Sequence, residues 1–244
     1  MIYYFSDPGA VQATAVGGKA ATLAQLYQAG YPVPPGFVVP AAAFKDGRLP
    51  EAQWPNVLAQ AATLRQRDGR SRLAVRSSAL SEDSAYASYA GEYETVLNVA
   101  SGAEIRQAVE AVYQSQFQPR VQTYSEAVGG RSAQEAAGRP SEIAVIVQQM
   151  VPAELAGVLF TADPVTGSYS HMVGNFVRGL GEQLVSGEAD GEAFTLERPS
   201  GRYDGPPELR PYARSLYKFA TRLADTLHGP QDIEWAVAAG KLWL

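Results

Sequence analysis

Phosphate recognition needs backbone N–H groups that converge and a cation beside them. Gly17-Gly18-Lys19 supplies both where a helical pattern begins. The same residues equally describe a Gly-Gly turn capping a surface helix with a solvated lysine. They are not a Walker A loop, because Ala13 stands where the first glycine is needed and Ala20 where Ser or Thr is needed. Arg76 precedes Ser77-Ser78, so its guanidinium and the two hydroxyls suit a polyphosphate, or the guanidinium pairs with Glu82 or Asp83. Residues 84–91, small and tyrosine-bearing, suit a lid of backbone amides over phosphates or an ordinary surface loop. Gln148-Gln149-Met150-Val151 ends an apolar run, where a Gln side chain and exposed backbone can read an adenine edge or simply terminate a strand. Asp232 and Glu234 alternate, so both carboxylates share one strand face and suit a Mg2+ ion bridging phosphate oxygens; solvated surface acids are the alternative. Glu182, after Gly179-Leu180-Gly181, is a further acidic candidate.

Composition narrows the chemistry further. Twenty basic residues against 25 acidic ones give a net charge of −5 over 244 residues, which argues against a nucleic-acid partner held by bulk charge. The absence of Cys removes disulfides, thiolate zinc sites and cysteine nucleophiles, and fits a reducing, cytoplasmic setting. With only His171 and His228 present, a His-rich metal site or a Ser-His-Asp hydrolase has little to draw on. The N-terminus has no basic signal-peptide region, and no apolar run approaches the roughly 20 residues that cross a bilayer, so no membrane partner is expected.

The elements that must position these residues are legible in part. Leu23, Leu26 and Tyr27 fall at helical spacing after Gly17-Gly18-Lys19, and Gly30 suits the C-terminal cap. A proline-rich loop then leads to a strand near Phe37-Val38-Val39, and a weak helical stripe follows through Val57, Leu58, Ala61 and Leu64. Leu73-Ala74-Val75 and Tyr93 to Val99 read as strands. Ser101 with Glu104 forms a capping box for a helix through Ile105, Ala108, Val109 and Val112. Residues 129–140 read as a linker. Ile143 to Val151 and Ala156 to Thr161 read as adjacent central strands, followed by a strand near Ala193 to Glu197 and a helix from Pro211 to Leu227. A final hairpin turns at Ala239-Gly240-Lys241.

Taken in order, these runs resemble the N-terminal nucleotide-binding domain of the phosphoenolpyruvate synthase and pyruvate phosphate dikinase family, which includes rifampin phosphotransferases and glucan water dikinases. The matching runs are Gly17-Gly18-Lys19, Val33-Pro34-Pro35-Gly36-Phe37-Val38-Val39, Ala74-Val75-Arg76-Ser77-Ser78 to Ser81-Glu82-Asp83, and Ser88-Tyr89-Ala90-Gly91 to Glu94-Thr95. They continue with Val147-Gln148-Gln149-Met150-Val151, Gly157 to Pro164, Gly179-Leu180-Gly181-Glu182 and Gln231-Asp232-Ile233-Glu234-Trp235.

The resemblance implies an α+β, ATP-grasp-like fold of two lobes, 1–140 and 141–244, with Mg-ATP in the cleft between them. It implies that Lys19 and Arg76 hold the phosphates and act catalytically, that Gly91 and Thr95 belong to a loop over them, and that Gln148, Met150 and Val151 meet adenine. Glu234 would bind Mg2+ with Asp232 or Gln231 in support, and Glu182 would contact the cofactor. Family enzymes pass phosphate to a histidine on a separate swivelling domain. Here no Thr-Ser-His stretch of that domain occurs, and the family's usual Leu-Gln-x-Arg continuation falls past Leu244. Two functions are therefore carried forward: a phosphotransferase domain that phosphorylates a histidine on another domain or partner, or a non-catalytic nucleotide-binding module with an incomplete site. A full dikinase cycle in this chain alone is not expected.

Overall fold

Strand pairing divides the chain. The computed structural model describes residues 2–66, 71–79, 95–117, 143–181, 184 and 191–244. Of the candidate residues, Gly91 and Glu182 lie outside these, as do Glu82, Asp83, the 84–91 segment and the 129–140 segment. Two units result, Met1–Met150 and Val151–Leu244.

The first unit holds β1 (Tyr3–Tyr4), α1 (Ala13–Val16), α2 (Gly18–Gln28), β2 (Gly36–Val39), α3 (Trp54–Gln66), β3 (Leu73–Ala79), β4 (Thr95–Val99), α4 (Gly102–Gln114) and β5 (Ile143–Gln149). Its strands form one antiparallel sheet in the order β1-β2-β5-β3-β4. Because side chains alternate across a strand, Phe37, Val39, Leu73, Val75, Val145 and Val147 point to one face, where they form a buried core with Trp54, Val57 and Ala61 of α3 and with Ile105, Val109 and Val112 of α4. The expected capping box starts α4: Glu104 N–H donates to Ser101 Oγ at 3.2 Å, and the Glu104 carboxylate accepts from Ala100 N–H at 2.7 Å. The opposite face of the sheet carries Arg76, Ser78, Ile146 and Gln148.

The second unit holds β6 (Leu155–Phe160), β7 (His171–Arg178), β8 (Glu192–Glu197), β9 (Tyr203–Asp204), α5 (Arg210–Thr226), β10 (Asp232–Ala238) and β11 (Lys241–Trp243). Its sheet is antiparallel in the order β11-β10-β6-β7-β8-β9. One face buries Leu159, Met172, Phe176, Phe194, Leu196, Ile233 and Trp235. Helix α5 contacts both edge strands, β9 and β11, so it spans this sheet with Ala213, Leu216, Ala220 and Leu223 buried. Among the described residues no helix is long and apolar enough to cross a membrane.

Three expectations differ from this arrangement. The division falls after Met150 rather than at 140, because β5 hydrogen-bonds between β2 and β3 and so belongs to the first sheet. The runs expected to be adjacent strands, β5 and β6, are each internal but lie in different sheets. Both read as continuous apolar runs because both are flanked by strands on either side, a property that reports burial and not the identity of the neighbour. Strand β7 was not expected at all: Gly174 and Asn175 interrupt its apolar character, although its burial alternates.

Candidate functional site

The first cluster is built by a contact between residues far apart in sequence. Gly17 caps α2 with φ of 82°, and a Cβ there would sit 2.4 Å from the Ser78 carbonyl oxygen, so only glycine lets the helix start this close to β3. The N–H of Ala20, one of the helix's otherwise unpaired first-turn donors, donates to Ser78 Oγ at 3.0 Å, and Ser78 is fully buried. Lys19, half-buried, is thereby held in the first turn of α2 over the sheet face that carries Ser78.

Sheet register brings the other candidates to that face. Arg76 lies two residues before Ser78 and is half-buried; it pairs across the sheet with Ile146 on β5 and with Thr95 on β4. Gln148 pairs with Ala74 and so is the diagonal neighbour of Arg76 on the same face. Lys19, Arg76, Thr95 and Gln148 thus share one side of one sheet, with two cations at a helix N-terminus and a strand centre. Such a surface suits a polyanion.

At the end of β5, internal hydrogen bonds engage part of what was expected to meet a base. The Gln148 side-chain amide donates to the Pro34 carbonyl at 3.0 Å. Met150 N–H donates to the Arg72 carbonyl at 2.9 Å, and the Val151 carbonyl accepts from Ala153 N–H at 2.8 Å. The peptide between them, Met150 C=O and Val151 N–H, takes part in none of these bonds.

In the second unit, Asp232 and Glu234 are exposed and share the face of β10 turned away from Ile233 and Trp235. They pair with Phe160 and Val158 of β6, which in turn pair with Val173 and Asn175 of β7. The protein packed around Asp232, and secondarily the Glu234 charge, raise its pKa above the ordinary aspartate value. That repulsion is what a divalent cation relieves, and two carboxylates with phosphate oxygens and water suit Mg2+. Among the described residues no group of three or more His, Cys, Asp or Glu side chains assembles, so the pair fits a metal shared with a ligand and not an all-protein cage. Gln231 is differently placed: its side-chain amide donates to the carbonyls of Gly229 and Pro230 in its own turn.

Two positioning residues were missed. Ser78 was read as a phosphate-gripping hydroxyl, yet it tethers α2. Thr161, fully buried, accepts from Gln231 N–H through its hydroxyl at 2.6 Å, donates its own N–H to the Gln231 carbonyl at 2.9 Å and receives Arg198 on its carbonyl, so it fixes the start of β10 beside Asp232. No local pattern announces either, because the partners lie 58 and 70 residues away.

Comparison with known proteins gives a consistent result. The family model described as pyruvate phosphate dikinase, AMP/ATP-binding domain, matches residues 43–205. The prodigiosin synthesizing transferase PigC of Serratia marcescens is 32% identical over 94% of this chain and 31% of that protein. A probable phosphoenolpyruvate synthase of Methanothermobacter thermautotrophicus is 30% identical over 100% of this chain and 45% of that protein. A rifampicin phosphotransferase of Streptomyces sp is 31% identical over 97% and 34%, respectively. The chain therefore spans less than half the length of these relatives. A looser likeness in shape, TM-score 0.46 at 15% identity over 96% of this chain and 55% of the other, is to D-alanyl-alanine synthetase A from Vibrio cholerae.

Proposed function

This chain belongs to the pyruvate phosphate dikinase AMP/ATP-binding domain family, and from that premise we propose that it binds Mg-ATP and donates phosphate to a histidine carried by a separate domain or partner. The observation that carries the reading is the convergence of Lys19, Arg76, Thr95 and Gln148 on one face of the first sheet, with Lys19 held there by the Ser78 tether.

In this reading Lys19 and Arg76 neutralise the phosphates and the charge that develops on the transferred group, so catalysis is largely positioning and electrostatics. Thr95, opposite Arg76, adds a hydroxyl at the phosphate end, and Gly91 remains a candidate phosphate contact. The Met150–Val151 peptide meets adenine. Gln148 supports it from below by holding the Pro34 carbonyl, a role nearer to positioning than to direct contact. Glu234 and Asp232 would hold Mg2+, which would supply positive charge to offset that of the phosphates. Gln231 orders the turn before them, and Glu182 remains a candidate contact. The identity of the final acceptor, whether pyruvate, a glucan, an antibiotic or another group, belongs to the histidine-bearing part.

A non-catalytic nucleotide-binding module is the second reading, favoured by the internal engagement of the Gln148 and Gln231 side chains. Calorimetric titration with Mg2+ and a non-hydrolysable ATP analogue tests the site. Binding that is lost in Lys19→Ala supports it, whereas equal binding by both proteins removes Lys19 from it. Incubation with Mg-ATP and a histidine-bearing family domain then separates the readings: phosphohistidine forms under the first and not under the second.

A further inference from the structure

Helix α5 buries one face, carrying Ala213, Leu216, Ala220 and Leu223, and leaves the other to solvent. The solvent face is of one sign. Arg210, Arg214, Lys218 and Arg222 are all exposed and recur every fourth residue, so they lie on one i±4 row of the helix surface. The row rises about 6 Å from one cation to the next and about 18 Å in all. Asp225 is the only acidic residue of the helix, so four basic residues less one acidic residue give it +3, within a chain of net charge −5.

Like charges four residues apart on a helix repel, so the row costs the folded protein stability and does not contribute to it. Among the described residues neither Arg214 nor Lys218 has an ion-pair partner to offset that repulsion. Glu208, the acid just before the helix, is engaged by Arg178.

Sign, spacing and ends define what fits this row. Alternate residues of an extended chain repeat at about 6.6 Å, so carboxylates along one side of an extended acidic segment meet successive cations. The row is also short, with Glu208 just before its first member and Asp225 three residues after its last. A nucleic-acid backbone carries its charge without interruption and would run on over these acids, and the net charge of −5 opposes it at long range. Insertion into a bilayer surface needs apolar side chains on the exposed face. Up to Lys218, the only other exposed residues of α5 are Pro211 and Ser215.

We propose that the exposed row Arg210, Arg214, Lys218 and Arg222 of α5 is a docking surface for a short, extended acidic segment of a partner polypeptide.

The test uses the purified full chain without nucleotide, so its outcome is separate from that of the nucleotide site. Fluorescence anisotropy follows a labelled poly-glutamate peptide, with duplex DNA and phosphatidylserine vesicles as the other probes and thermal melting alongside. Wild type is expected to bind poly-glutamate, and neither other probe more tightly. Lys218→Glu sets a carboxylate four residues from both Arg214 and Arg222 and is expected to weaken poly-glutamate binding about tenfold or more. Its Tm is expected to equal or exceed that of wild type, because two repulsions become attractions. Lys45→Glu makes the same change of net charge at an exposed cation of the first unit and is expected to leave the affinity within about twofold. Lys218→Arg keeps the charge and is expected to keep the binding. Equal weakening by Lys218→Glu and Lys45→Glu overturns the proposal, since bulk charge alone would then account for binding. So do an unchanged affinity or a lowered Tm in Lys218→Glu, a wild type that does not bind poly-glutamate, and tighter binding to duplex DNA or to the vesicles.

Discussion

Replacing Ser78 by Ala removes one oxygen and leaves the Cβ in place, so it isolates the tether between β3 and α2. Ala20 and Ser78 are both fully buried and joined at 3.0 Å. Without the hydroxyl, the Ala20 N–H has no intrahelical acceptor, because the first helix-closing bond runs from Ala21 N–H to the Gly17 carbonyl. A lost cap costs about 0.5–2 kcal/mol, and a buried donor left without a partner costs about 1–3 kcal/mol. We therefore expect a loss of about 1–2 kcal/mol, which for a unit of this size is a fall in Tm of roughly 2–8 °C. Lys19 immediately precedes Ala20, so the same change frees the first turn, and affinity for a non-hydrolysable ATP analogue with Mg2+ is expected to drop roughly tenfold, the scale of about 1.4 kcal/mol. Calorimetry on one preparation reads both quantities. A Tm equal to wild type would show that the Ser78–Ala20 bond does not stabilise the helix start. A lowered Tm with unchanged affinity would show that the first turn of α2 does not position the nucleotide.

Gly17→Ala is expected to be far more disruptive, because it combines a φ of 82° with a Cβ 2.4 Å from backbone oxygen; a melting curve indistinguishable from wild type would contradict the close approach of α2 to β3. Asp232 has a raised folded-state pKa, so its charge costs stability that develops as pH rises from the ordinary aspartate value through the raised one. Asp232→Asn is therefore expected to raise the metal-free Tm at neutral pH, to give no gain in acid where both forms are neutral, and to weaken the stabilisation that Mg2+ with nucleotide confers. A lower Tm at neutral pH in the variant would reverse the assigned sign. Glu104 is held below the usual carboxylate value, chiefly by the Ala100 N–H. Its contribution is present above the ordinary carboxylate pKa and fades as pH falls through the depressed one, so the Tm difference between wild type and Glu104→Gln should shrink on acidification. A difference independent of pH would mean the capping carboxylate carries no charge-dependent role.

Features whose partners are close in sequence were legible. The Ser101/Glu104 box needed a separation of only three positions to announce α4, and the Ala239-Gly240 turn, with φ of 49° and 72°, announced the β10–β11 hairpin. Alternation placed Asp232 and Glu234 on one face because the strand period is two whatever the strand's neighbours are. The order of motifs along the chain was equally available, and it pointed to a family before any contact was known.

Tertiary structure decided everything that depends on which strands are neighbours. Apolar runs established that β5 and β6 are internal, yet only hydrogen-bond pairing assigned them to separate sheets and moved the division to Met150. The same pairing set Arg76 opposite Thr95 and diagonal to Gln148, and it brought Ser78 to the start of a helix 58 residues earlier in the chain. Residue type and local spacing determine what a segment can do, because propensities, caps and turns act over a few residues. Which groups share a site is settled by packing between distant segments, and a free energy shared between distant partners leaves no local pattern to read.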